Sequence, residues 1–244
     1  MIPIDEPSLD AELIGSRYAA LLARLGAAAE AAGRDPNGFR VVGVTKGFPL
    51  AVVLAARLAG LARFGENRVQ EAIPKVAAVP DAEWHLVGRL QANKARGAVR
   101  VFGVIHSIDS LDLLRRVDRI AAEERLAPTL LLQVNVSGEA TKGGFPATWF
   151  AEQLSRPAEL AVAIGALEAV RLAGLMTIAP AGASTDEARS VFRRLAGLRD
   201  ALQDQAGQPL PELSMGMTSD AESAVAEGAT LVRVGTALFG PRPG

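Results

Sequence analysis

The sequence predicts an α/β fold, a single (β/α)8 barrel of the TIM type with one additional helix at its amino end. Three observations predict it: about eight short β-branched runs, helical patterns between them, and no linker, repeat or low-complexity stretch to divide the 244 residues. One domain over residues 1–244 is therefore expected. A doubly wound open sheet is the rival architecture, since it uses the same alternation of elements.

The leading helix is expected over residues 8–33. Ser8 serves as its N-cap, Ile14, Tyr18, Leu21, Leu22 and Leu25 recur at helical spacing, and Gly33 and Pro36 stop it. The strands follow at Phe39–Val44, Ala62–Gly65, Trp84–Val87, Phe102–Ile108, Thr129–Val136, Arg171–Ile178, Glu212–Gly216 and Leu231–Leu238. Two of the intervening helices open on capping-box patterns, Ser184 with Glu187 and Ser219 with Glu222, in which each serine and glutamate can satisfy the other's free backbone N–H. The Pro/Gly segment at 206–211 reads as a loop before the seventh strand.

Composition narrows the partners. Lys and Arg total 26 against 27 Asp and Glu, a net charge of -1, so no overall field draws the chain to nucleic acid or an anionic membrane. A small metabolite is the expected partner. The absence of cysteine removes thiolate chemistry and disulfides, and with only two histidines a transition-metal site is not expected. Residues Met1–Asp10 carry acids and prolines where a signal peptide needs a basic flank and an apolar core, and the Ala-rich stretch at 158–175 is broken by Glu159, Glu168 and Arg171. The expectation is a soluble cytoplasmic protein.

In a parallel barrel, functional groups collect at the carboxyl ends of the strands. Those positions are Thr45-Lys46, Glu66-Asn67, Gly88, His106-Ser107, Asn135, Met176-Thr177, Ser214 to Met217 and Gly235-Thr236. Lys46 follows Val41-Val42-Gly43-Val44, so its stem would lie on apolar walls, where desolvation favours the neutral, nucleophilic amine. Such a lysine forms an imine with an aldehyde; the alternative is an ordinary strand-end lysine in water. The loops after strands seven and eight are the usual phosphate site of a barrel. Here Ser214 and Gly216 precede a helix start, and Gly235-Thr236 pairs a close backbone approach with a hydroxyl. Tight packing of a capped helix would explain the same residues. A phosphate ester bearing an aldehyde would satisfy lysine and cradle together. Arg233 lies two residues before Gly235 and so shares its face of the strand; an arginine can only donate, so it would keep a pyridine nitrogen unprotonated. The alternative is a guanidinium paired with a barrel carboxylate.

These residues fall in stretches that resemble the pyridoxal phosphate homeostasis proteins, relatives of the barrel domain of alanine racemase. The stretches are Val44-Thr45-Lys46, Phe64 to Asn67, Trp84 to Gly88, His106 to Asp109, Gln133-Val134-Asn135, Gly174-Leu175-Met176, Leu213 to Met217 and Val232 to Thr236, in the family's order from about residue 41 onward. The resemblance implies that Lys46 holds pyridoxal 5′-phosphate as a Schiff base, that Ser214, Gly235 and Thr236 hold its phosphate, and that Arg233 faces the ring nitrogen. It implies lesser roles for Asn67, Met215 and Lys142, and a monomer. Thr218 stands where many relatives have serine, and the chain lacks the basic tail that some carry.

The resemblance also implies a carrier of the cofactor, one that could surrender it to recipient apoenzymes. Alanine racemase needs a second base, a tyrosine from another domain; this chain has one tyrosine, Tyr18, on the leading helix, and few residues follow Gly240. His85 and His106 could substitute, but a histidine within a strand is more often hydrogen-bonded structure. A racemase or lyase with a one-base site, a lysine-dependent aldolase of sugar phosphates and a structural scaffold are the alternatives.

Overall fold

The alternation of β-branched runs and amphipathic helices closes on itself. A computed structural model describes residues 11–155 and 159–242. Its strands are β1 (Arg40–Val44), β2 (Arg63–Glu66), β3 (Glu83–Leu86), β4 (Val104–Ile108), β5 (Thr129–Asn135), β6 (Arg171–Met176), β7 (Glu212–Ser214) and β8 (Leu231–Val234). All pair in parallel, β1 with β8, and the ring shuts where Ile105 of β4 meets Leu130 of β5. A closed ring excludes the open doubly wound sheet. A two-residue segment, Phe145–Pro146, pairs with the end of β5 outside the ring.

Most of the expected strands end later in sequence than the real ones. The positions beyond β6, β7 and β8 turn over the barrel mouth, and Thr236–Phe239, expected as strand through Leu238, is a short helix. The leading helix, α1, spans Ala11–Ala31; Ser8, its expected N-cap, lies outside the described residues. Ile14, Leu21, Leu25 and Ala29 form its buried stripe. Arg17 donates to Leu238 O at 3.2 Å and Arg24 pairs with Glu222 at 2.8 Å, which ties α1 to the segments that follow β8 and β7.

The capping box at Ser184 forms: Ser184 N–H donates to Glu187 Oε2 at 2.8 Å, Glu187 N–H returns the bond at 3.3 Å, and the helix Thr185–Ala206 ends at Gly207 in the left-handed region. The box expected at Ser219 does not form. That helix starts later, at Ala221, and Asp220 turns its carboxylate back to accept from Met217 N–H at 2.6 Å, which tightens the turn over the mouth.

The main core lies between strands and helices, and Phe64, Phe150, Phe192 and Phe239 are among its fully buried side chains. Inside the ring, Val42, Leu131, Ala173, Met176 and Leu231 form a separate small cluster. Arg40 with Glu212 and Arg63 with Glu83, at 3.1 Å, pair at the amino-terminal rim. The interior is therefore filled, and the carboxyl end is where a ligand has room.

One close approach fixes the β6–β7 register: a Cβ added at Gly174 would stand 1.8 Å from Glu212 O. Gly174→Ala is expected to lower the stability of the fold by about 2 kcal/mol or more, read from the midpoint of urea unfolding.

Candidate functional site

At the carboxyl ends of the strands a cavity of about 630 Å³ opens over the filled interior. Strand endings deliver its polar lining. Lys46 comes from β1, Asn67 from β2, Gln133 from β5, Arg233 with Gly235 and Thr236 from β8, and Lys142 from the loop after β5. Val44, Phe48, Val87 and Ile178 supply apolar wall. The lining holds five basic side chains, Lys46, Arg89, Lys142, Arg233 and Arg242, and no carboxylate. In a chain whose net charge is -1, such a concentration of one sign gives the cavity a positive lining that suits an anion.

Lys46 is half-buried, and among the described residues its Nζ has no hydrogen-bond or ion-pair partner. Its backbone is held from below. Lys75 Nζ, buried, donates to Thr45 O at 2.9 Å and to Glu66 Oε1 at 2.8 Å, and Thr45 Oγ1 donates to the same carboxylate at 2.6 Å. Glu71 accepts from Gly47 N–H on the far side. The buried Lys75–Glu66 pair thus braces Thr45, and Glu71 braces Gly47, on either side of Lys46. Burial raises the Glu66 pKa against the bonds from Lys75 and Thr45.

Arg233 is almost fully buried and forms no ion pair among the described residues. Its Nη1 donates to Ser214 Oγ and its Nη2 to Thr177 O at 2.9 Å. A guanidinium paired with a barrel carboxylate, the alternative open from sequence, is not what is found. Burial lowers its pKa to about 10, so at neutral pH it stays a cation and only donates.

The loop after β5 is folded around Asn135. Its Nδ2 donates to Glu139 O at 2.9 Å and Lys142 O at 3.2 Å, and its Oδ1 accepts from Gly138 N–H at 3.0 Å. That brace carries Lys142 to the mouth, where Nζ pairs with Glu139 at 2.8 Å and donates to Ile178 O at 3.3 Å.

Lys46, Asn67, Arg233, Gly235, Thr236 and Lys142 are brought together on the cavity wall. Ser214 and Met215 are not. Ser214 is fully buried, its hydroxyl enclosed by Arg233 and His106, and Met215 packs in the core outside the ring. The reason is strand length: β7 ends at Ser214, so the chain rises to the mouth only at Met217, Thr218 and Ser219, which do line the cavity. Sequence reasoning passed over Thr218 and Ser219 as binding groups. The signal was the hydroxyl pair just before the next helix. It also passed over Gln133, whose two-residue spacing from the inward-facing Leu131 marked it.

His85 and His106 are buried inside the ring, bonded to each other at 2.8 Å, and neither lines the cavity. Tyr18 lies half-buried on α1, also away from the lining. Among the described residues no group of His, Asp and Glu is placed to hold a metal ion, and no helix is long and apolar enough to cross a membrane. A broader concavity of about 730 Å³ shares Arg89 but lies outside the strand ends, where Arg89 pairs with Asp109 and exposed Arg115 with Asp112 and no strand-end lysine enters.

Residues 18–243 match the family model of the alanine racemase N-terminal domain. The pyridoxal phosphate homeostasis protein of Aquifex aeolicus is 40% identical over 228 residues, 93% of this chain and 97% of that protein. The chain belongs to the pyridoxal phosphate homeostasis protein family. The relative from Pseudomonas aeruginosa is 42% identical over 231 residues, 94% of this chain and 96% of its own length. Among solved structures, PipY of Synechococcus elongatus superposes with a TM-score of 0.81 at 43% identity without PLP, and with 0.78 at 41% in a structure described as having PLP bound; each covers 93% of this chain and all of PipY. An alanine racemase from Clostridium difficile shares the fold at a TM-score of 0.69 and 14% identity, covering 91% of this chain and 60% of the racemase.

The Lys75–Glu66 pair is open to test. Lys75→Met leaves a buried carboxyl without its cation and is expected to cost about 3 kcal/mol or more at neutral pH. Removing the bond that lowers the Glu66 pKa raises it further, so the folded state binds a proton the unfolded chain does not hold there. The variant therefore regains stability as pH falls through that raised pKa, while wild type gains less. Urea unfolding of both proteins at a series of pH values checks the sign.

Proposed function

We propose that this protein holds pyridoxal 5′-phosphate as a Schiff base on Lys46 and carries the cofactor without catalysing with it. The observation that carries the reading is the cavity itself: a strand-end amine without a partner among the described residues, in a wall with four further basic side chains and no carboxylate. An anion bearing an aldehyde suits that donor set. The cradle fits a phosphate too. Gly235 lines the cavity where β8 packs closely on β1, an added Cβ standing 3.2 Å from Val44 O, and Thr236, Thr218 and Ser219 add hydroxyls around it.

In this reading Lys46 gives the amine, Thr236 with Gly235, Thr218 and Ser219 receive the phosphate, and Arg233 donates to the ring nitrogen. Ser214 then serves as Arg233's anchor, not as a phosphate ligand, and Met215 as packing beneath the turn. Asn67 and Lys142 border the ring. Bound there, the cofactor supplies an aldehyde that primary amines can join and leave, which is the chemistry a carrier needs.

The lining supports a carrier over a two-base catalyst. It contains no tyrosine, histidine or carboxylate, and the one amine besides Lys46, that of Lys142, is engaged by Glu139 and Ile178 O. A donating Arg233 also withholds the proton that would strengthen an electron sink. The homeostasis label of the relatives and the PLP described in one PipY structure agree with this reading. Surrender of the cofactor to recipient apoenzymes is part of the same proposal.

The absorbance spectrum of purified protein, before and after borohydride, tests it. A visible band that borohydride traps on the Lys46 peptide, and that Lys46→Ala lacks while its melting midpoint stays within about 2 °C of wild type, is the expected result. No band after adding pyridoxal phosphate would overturn the reading. The loaded protein is further expected to leave common amino acids unchanged in chiral chromatography; steady racemisation or decarboxylation of any one would end the carrier half of the proposal.

A further inference from the structure

Beneath Arg233, buried polar side chains cross the inside of the ring. Ser214 Oγ accepts from Arg233 Nη1 and lies 2.7 Å from His106 Nδ1; His106 Nε2 lies 2.8 Å from His85 Nδ1; and His85 Nε2 lies 3.1 Å from Glu83 Oε1 at the opposite rim. The last contact meets the distance but not the direction of a hydrogen bond, and is the loosest link. Ser214, His106 and His85 are fully buried, so none can turn to water.

We propose that His85, His106 and Ser214 form a directed hydrogen-bond chain through the barrel interior, oriented at its far end by the Glu83 carboxylate, that positions Arg233 and aims its remaining donors at the cavity. Resting on the cofactor reading above, these four are positioning residues for the guanidinium's contact with the ring nitrogen.

The direction follows from the two ends. Arginine has no acceptor, so Arg233 must donate to Ser214. The buried hydroxyl hydrogen of Ser214 then has one neighbour able to take it, His106 Nδ1. With Nδ1 accepting, neutral His106 carries its proton on Nε2 and donates to His85 Nδ1. His85 in turn carries its proton on Nε2, facing the Glu83 carboxylate, which only accepts. Each link has one allowed polarity, and reversing any of them strands a buried donor or sets two donors face to face.

Charge on the surrounding elements keeps the chain neutral in the middle. Burial, with the Arg233 cation and any charge on His85 acting the same way, holds His106 well below the usual histidine range. Burial also lowers His85; Glu83 opposes it, and Arg63 and Arg40 add to it from β2 and β1. The Glu83 carboxyl is held down to about 2, first by its contact with His85, with Arg63 and Arg40 adding to it. Asp220, over the mouth, is the carboxylate that acts on Arg233. A protonated His106 would present Nδ1–H to the oxygen that already accepts from Arg233, setting two cations on one hydroxyl and leaving the buried Ser214 hydrogen without its acceptor.

Long-range ¹H–¹⁵N spectra of the full chain without cofactor test the polarity. Both histidines are expected as Nε2–H tautomers that do not titrate between about pH 6 and 8; an Nδ1–H tautomer on either overturns the proposal. Ser214→Ala, which removes one oxygen, is expected to shift the His106 ring resonances, weaken pyridoxal phosphate binding about tenfold and move the absorbance of the bound chromophore. His106→Leu is expected to act alike, and His106→Asn, whose side-chain oxygen still accepts from Ser214, to recover most of the loss. Wild-type affinity and spectrum in Ser214→Ala would overturn the inference. Should wild type itself take up no pyridoxal phosphate, the reading of the site fails separately, and the tautomers alone decide the chain.

Discussion

Closure of the sheet through the β4–β5 pairing is the constraint on which the rest of this molecule depends. Once the ring shuts, side chains alternate between an outer layer that buries Val232 and Val234 and an interior of fixed width that must be filled. Val42, Leu131, Ala173, Met176 and Leu231 fill part of it. The remainder is polar, and because those groups are cut off from water they satisfy one another. An arginine can therefore lie buried at the top of the ring without a carboxylate: Ser214 and Thr177 O take two of its donors, and the rest of the guanidinium is left to the cavity.

The same closure separates stability from function by position. Ion pairs between Arg40 and Glu212 and between Arg63 and Glu83 occupy the amino-terminal rim, the first reaching from β1 past β8 to β7 and the second joining the neighbouring strands β2 and β3. At the carboxyl rim the lining carries basic groups alone, an arrangement that repels itself and costs stability without an anion to complete it. The buried Lys75–Glu66 pair stands between these regimes: it ties Thr45 to the next strand and helix, and so holds rigid the backbone from which Lys46 extends.

Much of the site was legible because strand-end residues are marked by what precedes them. Lys46 follows four apolar or small residues, and Arg233 and Gly235 sit two apart on the same strand, so their convergence on one cavity followed from the strand period and the barrel topology. Ser214 was placed one level too high. Its hydroxyl, glycine neighbour and following helix match a phosphate loop locally, and only the three-residue length of β7 puts it inside the ring and hands the mouth to Met217, Thr218 and Ser219. The cap expected at Ser219 failed for a related reason: the turn that climbs over the mouth uses Asp220 for its own backbone and delays the helix to Ala221.

The sequence by itself determined the class of fold, the order of its elements, the family and the place of Lys46 at a strand end, because periodicity, capping pattern and local motifs are properties of neighbours along the chain. Only the tertiary structure decided that Ser214 touches His106, 108 positions away, that Arg233 is anchored by neutral groups, and that the cavity wall holds no carboxylate. Those are contacts between residues far apart in sequence. Their geometry is set by strand stagger and ring closure, for which no local pattern carries a signal.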